Sequence, residues 1–97
     1  MATYIVLINY TQQGIKNIKE SPARFDAAKK ALQPMGADLK QVFLTMGQYD
    51  RVIIAEAPDD ETIAKFLLAT GSLGNVSTQT MRAFTEDEFR KIVSGLP

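Results

Sequence analysis

Gly47-Gln48-Tyr49-Asp50 is the sharpest local feature of the sequence, setting a phenol beside a carboxylate next to a glycine. At the mouth of a chamber, Tyr49 and Asp50 would offer hydrogen-bonding groups to a ligand. The plainer reading is a hairpin, with glycine for the turn, tyrosine on a half-buried edge and aspartate bonding the turn backbone. Glu56 stands in the apolar run Arg51-Val52-Ile53-Ile54-Ala55-Glu56-Ala57. Burial makes an unpaired carboxylate costly, so Glu56 is a candidate general base or ligand clamp, or else a strand-end carboxylate that reaches solvent or a cation. Arg82 can grip an anionic ligand through its two-pronged guanidinium, or pair with Asp50 or Glu56. Thr78 and Thr80 offer hydroxyls, although threonine is also an ordinary strand residue.

What is missing narrows the chemistry. The 97 residues contain no histidine and no cysteine, which removes disulfides, thiolate and imidazole metal ligands, and Ser-His or Cys-His nucleophile pairs. Eleven Lys and Arg balance eleven Asp and Glu, so net charge draws the chain neither to nucleic acid nor to an anionic membrane. No cofactor or metal is expected. Gly71-Ser72-Leu73-Gly74 lacks the Lys-Ser/Thr ending of a phosphate loop, and no acidic cluster has the spacing of a calcium loop. With 45% hydrophobic and 23% charged residues, the composition is that of one globular domain, residues 1–97. The opening apolar run, Tyr4 to Ile8, follows no basic segment and is too short for a signal or membrane helix, so a cytoplasmic location is expected.

The elements that must carry these residues follow from pattern. Residues 3–10 are β-branched and aromatic and apolar on both parities, predicting a central strand. Thr11 to Gly14 breaks it. Ser21-Pro22 reads as an N-cap and first helical position, followed by Phe25, Ala28, Leu32 and Met35 at helical spacing and closed by Pro34 and Gly36. Residues 38–46 and 49–57 read as strands joined by a two-residue type II′ turn at Gly47-Gln48. After Pro58, Asp59-Asp60-Glu61 opens a helix whose inner face is Ile63, Phe66, Leu67 and Thr70. Residues 75–84 alternate as a fourth strand. Thr85 and Glu88 form a capping box for a last helix expected to bury Phe89, Ile92, Val93 and Leu96. The order is βαββαβ with an extra C-terminal helix: an α+β, ferredoxin-like domain with a four-stranded antiparallel sheet and helices on one face.

Such a sheet leaves its second face open. The hairpin register sets Thr45 opposite Asp50, Phe43 opposite Val52, Gln41 opposite Ile54 and Leu39 opposite Glu56, all on one side. Val42, Leu44, Met46, Ile53 and Ala55 are expected beneath the helices. Parity matching adds Tyr4, Val6, Ile8 and Tyr10, with Thr78, Thr80, Arg82 and Phe84, to the open side. That mixture is too apolar to stay wet and too polar for a dry core. The expectation is a homodimer, or a higher homo-oligomer, in which stacked sheets enclose a small chamber.

These residues resemble the GYD-domain family, small bacterial proteins named for a Gly-x-Tyr-Asp motif, here Gly47, Tyr49 and Asp50. The likeness extends over Ala2 to Leu7, Gly14 to Ser21-Pro22, Glu56 to Asp60 and Gly74 to Phe84. It implies a dimeric α/β-barrel type of fold and transfers no activity. Two readings of function remain, beside a third in which the protein is a structural oligomer whose only task is assembly. One is a small-ligand-binding or oligomeric accessory domain without catalysis. The other is a cofactor-free isomerase or monooxygenase-like enzyme acting on a small aromatic or acidic substrate. Its general base would be Asp50 or Glu56, and Tyr49 or Arg82 would stabilise an oxyanion.

Overall fold

A strand that is apolar on both parities belongs in a sheet interior, and β1 (Ala2–Tyr10) takes that place in the computed structural model, which describes residues 1–97. The chain continues through α1 (Gln12–Lys16), a 3₁₀ turn at Ile18–Glu20, α2 (Ser21–Leu32) and a second 3₁₀ turn at Gln33–Met35. There follow β2 (Asp38–Leu44), β3 (Arg51–Ala57), α3 (Asp60–Ser72), β4 (Val76–Ala83) and α4 (Glu86–Ser94). The strands form one sheet in the order β2-β3-β1-β4, every pairing antiparallel. This is the ferredoxin-like α+β arrangement expected from the sequence.

The core lies on one side of the sheet. Tyr4, Val6 and Ile8 of β1 and Ile53, Ala55 and Ala57 of β3 are buried there with Leu39, against Leu32 of α2 and Ile63 of α3. This corrects the parity expectation for β1 and β4. Tyr4 pairs with Ala55 and Arg82, Val6 with Ile53 and Thr80, and Ile8 with Arg51 and Thr78, so these residues face the helices. The open face instead carries Ile5 and Leu7, flanked by Ile54 and Val52 on β3 and by Met81 and Gln79 on β4.

The β2–β3 register holds at Phe43–Val52 and Gln41–Ile54, then slips by a bulge between Leu39 and Gln41. The extra residue, Lys40, turns Leu39 inward to pair with Ala55 rather than Glu56, and leaves Asp38 opposite Glu56. Leu44 and Met46 do not lie under helices; they are 74% and 100% exposed at the edge of the sheet.

The type II′ turn is also corrected. Positive φ occurs at Gly36 (78°) and Gly74 (81°), not at Gly47, whose added Cβ would meet open space. The strands end at Leu44 and Arg51, and a looser loop between them closes through Thr45 N–H donating to the Asp50 carbonyl (2.9 Å). Ser21 is already helical (φ −57°, ψ −43°), so the N-cap of α2 is Glu20, and the serine hydroxyl is engaged by that of Tyr10 (2.7 Å).

The Thr11–Gly14 break is a short helix, and Gly14 is its tightest point. A Cβ there would stand 1.9 Å from the Asn75 carbonyl, which accepts from Thr11 N–H at 3.0 Å. The glycine lets α1 lie directly on the entry to β4.

α4 departs most from expectation. Its capping box forms, yet Phe89, Ile92, Val93 and Leu96 remain 54%, 49%, 46% and 65% exposed. Extents of 52 × 32 × 19 Å and a radius of gyration of 14.7 Å reflect this, against about 12.5 Å for a globule of this length.

Candidate functional site

Of the expected site residues, Tyr49, Asp50, Glu56 and Arg82 fall into two groups at opposite ends of the sheet, and Thr80 lies between them opposite Val6. Tyr49 and Asp50 stand where β1 ends. The Asp50 carboxylate accepts from Tyr10 N–H (2.9 Å), while its own N–H donates to the Ile8 carbonyl (2.9 Å). Asp50 thereby extends the β1–β3 ladder by one residue and satisfies a donor that the ladder leaves free. Its carboxylate bonds the neighbouring strand, not the turn expected from the hairpin. Thr45 donates its hydroxyl to the Tyr49 carbonyl, and the Tyr49 phenol reaches past β1 to donate to Gln79 Oε1 on β4 (2.6 Å). Together, the Tyr-Asp pair of the motif ties the β2–β3 loop to both other strands.

Glu56 and Arg82 lie at the other end of the sheet, about 20 Å from Asp50 by strand rise, and on opposite faces. Lys40, thrown to the open side by the bulge, sits 3.4 Å from Glu56 and 3.6 Å from Asp38. With its lysine half exposed, such a trio contributes under about 1 kcal/mol per pair. Arg82 meets neither Asp50 nor Glu56. Its guanidinium stacks 4.4 Å from the Phe84 ring centre and 5.7 Å from that of Tyr4, and donates to the Thr3 and Ala83 carbonyls. Thr80 faces the helices, where its buried hydroxyl oxygen has no hydrogen-bond partner. A general base and an oxyanion donor drawn from Tyr49, Asp50, Glu56 and Arg82 are therefore close only in the Tyr49–Asp50 pair, whose polar atoms hold backbone and Gln79.

Beneath Arg82 lies a second linkage. The Tyr4 hydroxyl donates to Asp60 in the first turn of α3, and burial, reinforced by that bond, pushes the Tyr4 phenol up to about 12. The arrangement anchors α3 to the sheet.

The structure holds a half-open pocket that sequence reasoning missed. Between α2, α3 and the inner face of the sheet lies a cavity of ≈ 110 Å³, ten of whose fifteen lining residues are hydrophobic. Phe25, Phe66 and Ile53 are among its apolar walls, and Tyr10, Ser21 and Arg51 form a polar corner. Arg51 donates to the Tyr10 hydroxyl (3.1 Å) and to the Phe43 carbonyl (3.2 Å), and Tyr10 and Ser21 share a 2.7 Å hydrogen bond. One signal could have found it: Arg51 shares parity with Ile53 and Ala55, so a cation lies on a core-facing row. No group of three or more His, Cys, Asp or Glu residues is arranged to hold a metal ion, and no helix is long and apolar enough to cross a membrane.

Relatives share this frame. A protein from Thermus thermophilus described as a glutamine synthetase and cystathionine β-lyase binding protein is 32% identical over 84 residues, covering 86% of this chain and 88% of its own. The crystal structure of a hypothetical protein from Pyrococcus horikoshii superposes with a TM-score of 0.56 at 18% identity, over 89% of this chain and 93% of its own, a likeness of fold alone. A crystal structure of a Thermus thermophilus protein gives 0.51 at 25% identity, over 88% and 95%. The GYD domain profile matches residues 4–93, a span that takes in β2, β3, β4, all but the first two residues of β1, the Tyr49–Asp50 clamp and most of α4. The chain belongs to the GYD-domain family.

Proposed function

We propose that this protein is a homo-oligomeric protein-binding module without catalysis, a dimeric α/β barrel formed when two open sheet faces stack and the α4 helices pack across the pair. The observation that carries the reading is the state of α4. Its nine residues are fewer than an isolated helix needs to be stable in water, and the apolar stripe from Phe89 to Leu96 finds no cover in its own chain. A second copy supplies that cover together with a lid for Ile5, Leu7, Val52 and Ile54. The small-molecule chamber expected between stacked sheets would have Tyr49, Gln79 and Glu56 at its walls. The description of the Thermus relative as a binding protein for two enzymes supports protein partners for the assembled form.

Sedimentation velocity at micromolar concentration tests this reading. Wild type should run as a dimer or a multiple of it, and the double variant F89D/I92D as a folded monomer. Titration against purified glutamine synthetase and cystathionine β-lyase should then show binding by wild type and none by the variant. A wild-type monomer, or a variant that still assembles, would overturn it.

A further inference from the structure

The polar corner of the cavity beneath the helices has a chemistry that the proposed assembly does not use. Two cations, Arg24 and Arg51, line it, and no Asp or Glu does. Arg24 is occupied by Glu20 (3.2 Å) and the Asn17 carbonyl. Arg51 has no ion pair: its Nε and one Nη1 hydrogen go to a carbonyl and a phenol, leaving Nη2 without an acceptor. Either hydroxyl of the Tyr10–Ser21 pair can donate, and with Tyr10 donating, the serine keeps its own proton as a donor. Two donors, one of them charged, therefore border a mainly apolar space that no carboxylate lines. A carboxylate fits such a corner, since a guanidinium and a hydroxyl satisfy its two oxygens.

The volume sets the rest of the ligand. At ≈ 110 Å³ the space holds a body on the order of one six-membered ring or a short branched chain. Phe25 and Phe66 favour a ring or methyl groups over a polar substituent. We propose that this cavity is a binding site for a small monocarboxylate with a compact apolar body, held by Arg51 and Ser21. All of its lining comes from one chain, so the site is complete in the monomer and stands or falls independently of self-association.

The probe is sodium benzoate, followed by amide NMR titration of the full chain. Saturable shifts should appear at Ile8, Tyr10, Ser21, Phe66 and Val76. Benzamide, of the same shape but uncharged, should bind at least about tenfold more weakly, as should benzoate to Arg51→Gln. Arg51→Lys should recover part of the loss. Ala28→Leu, which fills the cavity and leaves the polar corner intact, should abolish the shifts while the remaining spectrum stays folded. Absence of shifts with wild type at millimolar benzoate would overturn the assignment. So would equal binding of benzamide, or binding that Ala28→Leu does not disturb.

Discussion

Helices α3 and α4 are built to the same local recipe and meet different fates. Each opens on a side-chain cap: Asp59 accepts from Thr62 N–H (2.8 Å) in α3, and Thr85 and Glu88 exchange bonds in α4. Each carries acids in its first turn and an i,i+4 ion pair, Glu61–Lys65 or Glu86–Arg90. Yet α3 buries Ile63 to 4% exposure and half-buries Phe66 and Leu67, whereas the apolar residues of α4 all stay near half exposed or above. Capping and charge placement decide that a helix starts; they do not decide what it packs against. That second decision belongs to topology, which returns α3 across the sheet between β3 and β4 but gives α4 no further strand to cover.

The largest effect that separates the two helices is core truncation. Ile63→Ala should cost about 3 kcal/mol, seen as a lower urea midpoint. Ile92→Ala, measured in dilute protein, should cost under about 0.5 kcal/mol. Equal losses in dilute solution would mean that α4 is part of the monomer's core and would end the comparison.

A smaller effect sharpens it. Tyr4 ties α3 to β1 through Asp60, and its phenol is raised from 10.0 to about 12, chiefly by burial and then by the bond to Asp60. The folded state therefore holds this proton more tightly than the unfolded chain does. The stability that follows is fully present below about pH 10, and is lost as pH rises through the folded value. Tyr4→Phe should lower stability at neutral pH by about 1–2 kcal/mol, through loss of a hydrogen bond to a charged group. It should also remove the alkaline component from the pH profile of the urea midpoint. An unchanged alkaline limb in the variant would show that another group carries it. α4 has no tyrosine, so none of this should touch its amide exchange.

Why was so much of the frame legible in the sequence, and the site so little? Strands, caps and element order are written locally, in parity, in Pro and Gly, and in spacings such as Thr85 to Glu88. Face assignment needs contrast between parities. β1 offers Tyr4, Val6 and Ile8 on one side and Ile5 and Leu7 on the other, which are equally apolar. In β4, Thr78, Thr80 and Arg82 alternate with Ser77, Gln79 and Met81, and again neither side is marked as the inner one. The bulge at Lys40 leaves no trace in pattern, although it decides that Leu39 enters the core and that Glu56 finds a cation. Gly14 and Gly47 look alike as loop glycines. Only the tertiary approach of Asn75 makes the first indispensable, and open space around the second leaves it replaceable. The polar corner of the cavity joins Tyr10, Ser21 and Arg51 across forty-one positions, a juxtaposition that only the folded sheet creates.

The smallest expected effect lies in the caps themselves. Asp59 is held below its ordinary 3.8 by the side-chain bond from Thr62 and then by the backbone N–H of the same residue. Glu88 is held below its ordinary 4.5, first by the Thr85 backbone N–H. In both, the folded state favours the carboxylate, so the stability each contributes is present above the ordinary carboxylate range and is lost as pH falls through the depressed value. The sign is the same, but the reach should differ. Protonating Asp59 loosens a helix that the core depends on, so the loss should appear in the global melting temperature. Protonating Glu88 loosens a helix that the monomer's core does not depend on. It should appear only as faster exchange of the α4 amides, residues 86–94, with the melting temperature of the dilute protein unmoved. Asp59→Asn and Glu88→Gln remove the titrating groups one at a time while keeping a hydrogen-bonding side chain in place. The first should flatten part of the acid limb of the melting curve, and the second should change only the exchange profile. If Glu88→Gln moves the global melt as far as Asp59→Asn does, the two helices are equally coupled to the core and α4 has packing within its own chain.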